Sequence, residues 1–316
     1  MLHALSSMKI WNACIFLWLL PGRTLASTGD RLPHFRTCVA SCIEHSCPAR
    51  LSWDLQLFQW TCAANCDYAC QQTITAERVR KGEAIEQFHG KWPFKRLYGM
   101  QEPLSILFSI LNFYAHWRGL RYIRRRIPKN YAMRPYYVVW SLVGLNSWIW
   151  SSVFHARDFK ITERADYFSA GASVMYGLFY APIRIFHLER QTSVIVLWGA
   201  ACALAFVAHV GYLSFVRFDY GYNMLANVSV GALQHILWTY FSLSNYHSGP
   251  SWIMWPAIIV TLLAAAMSLE IFDFPPLWDA LDAHALWHAS TPLLTSWWYA
   301  FLVRDSNLEA GRELRV

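Results

Sequence analysis

Charge is what this sequence has little of: Asp, Glu, Lys and Arg make up only 15% of its 316 residues, against roughly 25% in a soluble domain. With 55% hydrophobic and 16% aromatic residues and a positive mean hydropathy, the deficit excludes an ordinary soluble domain and indicates a membrane protein. No GxSxG elbow occurs, which excludes the strained serine turn of α/β hydrolases. No P-loop occurs either, which excludes that route to nucleotide phosphates. Internal repeats, coiled-coil heptads and low-complexity linkers are missing too. The sequon-like Asn227-Val228-Ser229 falls inside an apolar run, where no glycan can be attached. Any chemistry must come from side chains gathered at the membrane face.

The basic excess is present but local. A net charge of +7 rests largely on "HWRGLRYIRRRIPKNYAMR" between two apolar runs, a placement that fits a cytosolic loop and not a nucleic-acid site. Residues 1–26 have Lys9 ahead of an apolar core from Ile10 to Leu20, then Pro21-Gly22 and small residues to Ala26. They read as a signal peptide cut before Ser27, since a run of about eleven apolar residues is short of the twenty or so a span needs. An uncleaved anchor is the alternative, and on either reading the chain that follows enters the secretory lumen.

Six of the eight cysteines, Cys38, Cys42, Cys47, Cys62, Cys66 and Cys70, cluster in that next segment, residues 27–100. In an oxidising lumen they imply three disulfides, with fifteen possible pairings open. Spacings of i, i+4 place Cys38 with Cys42, and Cys62 with Cys66 and Cys70, on single helix faces, so two stapled helices are expected. A zinc knuckle competes, but the spacing lacks CxxC.

Apolar runs at 101–117, 135–154, 166–187, 193–215, 223–243, 252–272 and 284–303 each suit about 30 Å of hydrocarbon. The fold class expected is therefore an all-α membrane protein: a seven-transmembrane helix bundle over 101–303, preceded by a small disulfide-stapled helical lumenal segment and followed by a cytosolic tail, 304–316. With a lumenal N-terminus, the connections assigned to the cytosol hold twelve Lys and Arg residues, Arg184 and Arg304 among them. The lumenal connections after the first span hold only Arg157, Lys160, Arg164 and Arg217, which supports the orientation.

That orientation collects a constellation. His155 ends the second span, Asp166 begins the third, and His284 and His288 share one face at the start of the seventh. Three histidines with an open fourth position are the ligand set of hydrolytic zinc, which activates water and polarises a carbonyl. Such a centre at a lipid interface would cleave an ester or amide. Ser151, four residues before His155, is one turn deeper on the same face and suits an oxyanion or a bound water. Asp166 suits orienting that water, acting as base, or fixing a histidine tautomer. His209 and His235 read as packing groups, and His116, His187 and His247 fall on the cytosolic side. Asp273, Asp279 and Asp282 read as a solvated loop, and "RFDYGYN", Arg217 to Asn223, as an interfacial turn or a headgroup contact.

"FHGKWPFKRLYGMQEP", "NSWIWSSVFHARDFKITERADYF", "RFDYGYN" and "FDFPPLWDALDAHALWHAS", with the cysteine segment, resemble the post-GPI-attachment family that begins fatty-acid remodelling of GPI anchors. The resemblance covers almost the whole mature chain and extends to the seven-span hydrolases that include alkaline ceramidases and the adiponectin and progestin receptors. It maps Ser151, His155, Asp166, His284 and His288 onto that superfamily's pattern and implies zinc on the three histidines. It implies removal of the unsaturated sn-2 acyl chain of GPI phosphatidylinositol, giving lyso-GPI, with GPI-anchored proteins as partners and the Golgi lumen as the site. Golgi over ER rests on the resemblance alone. A ceramidase-like amide hydrolase and a non-catalytic receptor or GPI-cargo chaperone are the competing functions.

Overall fold

A computed structural model describes residues 27–48, 50–270 and 272–313; the expected signal peptide lies outside them. The described chain is helical, without β-strands beyond isolated bridges, and divides into two units.

The first unit comprises the described residues up to Arg50 together with Thr61–Pro93. Its helices are α1 (Pro33–Ser46) and, after a short α2 (Trp53–Leu57) that belongs to the other unit, α3 (Cys62–Arg80). Pro33 starts α1, where its missing N–H costs nothing. Thr61 caps α3, its side chain accepting from Ala64 N at 3.1 Å. The core is small, Phe35, Ile74 and Phe88 beside Cys70, so the helices depend on their bridges. These are Cys38–Cys70, Cys42–Cys66 and Cys47–Cys62, each with Cα atoms between 5.6 and 5.9 Å apart. The pairs are nested, as two antiparallel helices with i, i+4 cysteines require. The sulfurs a zinc knuckle would need are thereby committed to disulfides.

The second unit holds Leu51–Trp60 and the described residues from Phe94 onward. Seven helices follow: α4 (Pro103–Arg126), α5 (Arg134–Ala156), α6 (Lys160–Ile185), α7 (Thr192–Gly211), α8 (Tyr220–Ser244), α9 (Trp255–Met267) and α10 (Ala283–Glu313). A π-turn over Tyr212–Val216 extends α7. Packing closes a ring in the order α4, α5, α6, α8, α9, α10 and back to α4, while α7 lies outside it against α6. Close approach is possible where α4 and α5 carry glycine. A Cβ at Gly119 would overlap the Tyr299 ring, and one at Gly144 the His116 ring.

By length and composition, Thr192–Val216 alone among the described helices is clearly able to cross a membrane, with a mean hydropathy of 2.1. The ring explains why. Beside an aromatic and aliphatic core that includes Tyr137, Tyr180, Trp238 and Phe301, its six helices bury polar residues that lower their hydropathy, Ser105, Ser109, Asn112 and Ser141 among them, and expose apolar ones such as Leu107, Ile110, Leu142 and Ile149; α7 lies outside the ring. Helix ends also differ from expectation. The basic run from Arg118 to Arg126 is the last part of α4, not a loop. The expected tail from 304 continues α10, with Asp305 and Ser306 buried. Arg184, counted as a cytosolic connection, lies inside the bundle and holds Asp305 through two hydrogen bonds of 2.5 and 2.6 Å, a pairing that makes burial of both charges tolerable.

Candidate metal centre

The end of α5, the start of α10 and the first turns of α4 build the centre. His155 and Ser151 lie on the buried face of α5, one turn apart. Asp282, immediately before α10, accepts from Ala285 N at 2.8 Å, which fixes the first turn and aims His284 and His288 to one side. Asp282 is buried, so it is a helix cap and not the solvated loop residue its sequence context indicated.

The three imidazoles converge. Nε2 of His155 and of His284 are 3.2 Å apart, and one ligand atom from each of the three histidines lies within 4.8 Å of the others. Nitrogens about 2.05 Å from a tetrahedral zinc are roughly 3.3 Å apart, so the donor set needs only small adjustments to hold one. Tautomers agree. Nδ1 of His155 is 2.7 Å from Glu102 Oε2; a donated Nδ1–H leaves the Nε2 lone pair facing His284. Ser109 Oγ donates to Ser105 O at 2.7 Å and lies 3.0 Å from both Ser151 Oγ and His288 Nδ1. A hydroxyl has one hydrogen and two lone pairs, so Ser109 accepts from both partners. His288 therefore donates from Nδ1 and keeps Nε2 free. A carboxylate and a hydroxyl thus orient two ligands, the usual support of a metal-binding imidazole.

Ser151 accordingly spends its hydrogen on Ser109. Asp166 sits on α6, partly buried, and stands outside the group of mutually close ligand atoms. His209 pairs with Asn223 at 3.2 Å, and His116 with the Tyr299 hydroxyl at 2.9 Å; neither belongs to the group. "RFDYGYN" is a helix entry, Asp219 accepting from Tyr222 N and Phe218 stacking on Tyr167. Asp279 pairs with Lys95 at 2.6 Å.

Sequence reasoning missed Glu102, Ser109 and Asn112, whose Nδ2 donates to His288 O at 2.9 Å. A pattern did exist. Ser105, Ser109, Asn112 and His116 follow one another by four, three and four residues in an otherwise apolar run, a polar stripe on one helix face.

The profile of the Per1-like family matches residues 52–306, a stretch that contains every side chain of this centre. The chain belongs to the Per1-like family. Among Per1-like relatives, the Protein PER1 homolog of Schizosaccharomyces pombe is 48% identical over 295 residues, covering 90% of this chain and 88% of its own. The GPI-specific phospholipase A2-like PGAP3 of Danio rerio is 40% identical, covering 92% and 93%. Its Homo sapiens counterpart is 37% identical, covering 89% of each chain. No solved structure matches.

Proposed function

We propose that this Per1-like protein is a zinc-dependent phospholipase A2 of GPI anchors. It removes the unsaturated sn-2 acyl chain of the GPI phosphatidylinositol and releases lyso-GPI. The observation that carries the reading is the convergence of His155, His284 and His288, with the outer nitrogen of His155 held by Glu102 and that of His288 by Ser109. The printed names of the PGAP3 relatives, GPI-specific phospholipase A2-like, supply the substrate class.

In this reading α4 to α10 are seven spans, and the centre lies at their lumenal end in the Golgi. Support comes from the outward apolar faces of the ring helices: Leu107, Ile110, Leu142, Ile149, Leu233 and Leu293 are all exposed, which water would oppose and lipid favours. Buried polar groups behind an apolar exterior suit a bilayer, where buried ionisable groups mark function.

His155, His284 and His288 are the metal ligands. Zinc bound there supplies Lewis acidity, lowering the pKa of a coordinated water to near 7 and polarising the ester carbonyl. Glu102 keeps the His155 proton on Nδ1, and Ser109 does the same for His288. Ser151 positions Ser109 by donating to it. Asp166, on α6, would serve as the base or orienting carboxylate for water at the centre.

The test is lipid mass spectrometry of GPI anchors from null cells rescued with wild type, His284→Ala or Asp166→Ala, alongside zinc analysis of the purified proteins. Wild type is expected to replace the unsaturated sn-2 chain, the variants to retain it, and His284→Ala to lose zinc. Normal remodelling by His284→Ala, or a zinc-free wild type, would sink the proposal. Release of fatty acid from ceramide in preference to diacyl GPI would transfer it to the amide-hydrolase class.

A further inference from the structure

Two arginines share one tryptophan beside the centre, and the proposed hydrolysis does not use them. The guanidinium carbon of Arg96 lies 3.2 Å from the Trp60 ring centroid and that of Arg157 lies 3.6 Å from it. Groups so close to one centroid would overlap on the same face, so they occupy opposite faces. Trp60 itself is 9% exposed and donates from Nε1 to Gly99 O at 2.8 Å, which fixes the plane on which both cations stack. Stacking holds each guanidinium flat and turns its N–H edges sideways, the geometry that meets an oxyanion with paired hydrogen bonds. Arg157 donates to its neighbour's carbonyl, Asp158 O, at 3.3 Å, while its Nε is buried with no hydrogen bond.

The position is as informative as the charge. Arg157 follows His155 by two residues. The strand-like segment that carries Arg96 is clipped to the same helix end, Gln101 N donating to Ala156 O and Glu102 N to His155 O, both at 3.0 Å. One short segment therefore presents Arg96 and, six residues on, the carboxylate that orients His155. In a glycerophospholipid the sn-2 ester and the phosphate sit on neighbouring glycerol carbons. A protein that holds the ester at the three histidines must accommodate the phosphate close by.

We propose that Arg96 and Arg157, clamped on the two faces of Trp60, bind the phosphodiester of the lipid whose acyl ester is presented to the three-histidine centre. This rests on the phospholipase reading for the identity of the lipid. The stack selects phospholipid over neutral diacylglycerol or ceramide and sets the depth at which the glycerol is held.

The experiment is calorimetric titration of detergent-solubilised full-length protein with two probes that contain no ester: dihexyl-ether phosphatidylinositol and dihexyl-ether glycerol. The phosphoinositide is expected to bind more tightly. Arg96→Gln and Arg157→Gln should each weaken it about tenfold, the scale of a lost charge-assisted contact, while leaving the neutral probe unchanged. Arg157→Lys, which keeps the charge but loses the fork, should lose less than Arg157→Gln. Unchanged phosphoinositide affinity in both Gln variants overturns the proposal. Equal weakening of both probes also overturns it, since that is what a merely structural stack predicts. Displacement by inorganic phosphate at concentrations matching the lipid's own affinity would assign the site to free phosphate and overturn the lipid assignment. Neither probe can be hydrolysed, so His284→Ala should keep the preference. A failure of the hydrolytic reading would therefore appear separately, as absent turnover with the binding preference intact.

Discussion

At Glu102 one proton decides which nitrogen His155 presents. The carboxylate is 5% exposed and 2.7 Å from Nδ1, so Glu102→Gln keeps the shape but removes the charge and permits the wrong tautomer. On the zinc proposal, affinity for the metal should fall about 10- to 100-fold, read by competition with a chelator on purified protein; an unchanged affinity would mean that Glu102 does not orient His155. Ser109→Ala should weaken zinc by a similar route at His288, and Ser151→Ala less, because Ser151 acts one bond further out. At this scale the convergence of His155, His284 and His288 was legible, since an i, i+4 spacing puts two of them on one helix face. Glu102 was not. It has no spacing relation to any histidine, and only the backbone clip onto the end of α5 brings it there.

Elements obey simpler rules, and their failures are local. The seven apolar runs all became helices, but hydropathy ended α4 at its first arginine and α10 at Arg304. Helix propensity and inward partners carry both further: Arg is a good helix former, and Asp305 has Arg184 waiting. Contact between α4 and α10 depends on a missing side chain. Gly119→Ala pushes a Cβ into the Tyr299 ring, and overpacking of this kind costs about 1–3 kcal/mol; a lowered melting temperature in detergent checks it, and an unchanged one would show that the ring can move. In the cysteine unit, His89 lies between Asp67 at 3.0 Å and Asp30 at 3.4 Å. The hydrogen bond His89 donates to Asp67 raises its pKa above 6.5, against an opposing desolvation. A raised pKa stabilises the fold fully below about 6.5, and the contribution disappears as pH climbs through the folded value. Amide exchange around residues 28–32 and 86–90 should therefore quicken as pH rises through that window, beyond the intrinsic base catalysis of exchange, and His89→Gln should remove the extra dependence. The effect is muted by the exposure of the imidazole.

For the whole molecule, the exposed apolar surface has a measurable consequence. Leu204 on α7 is 71% exposed. If that face meets lipid, Leu204→Arg carries an insertion penalty of roughly 2.5–3.5 kcal/mol, visible as reduced membrane integration in a glycosylation-mapping assay; full integration at wild-type efficiency would count against seven spans. Sequence composition made the membrane class legible but not the ring, because closure depends on which helices touch, and that is written in glycines and small residues whose partners are far along the chain.

The nested bridges Cys38–Cys70, Cys42–Cys66 and Cys47–Cys62 also impose an order on biosynthesis. A chain delivered from its N-terminus presents three thiols before any correct partner exists, and the partners then arrive in reverse. The last thiol to appear on the first helix is the first to find its mate, as in a stack emptied from the top. Until Cys70 emerges Cys38 must wait, open to every oxidant it meets.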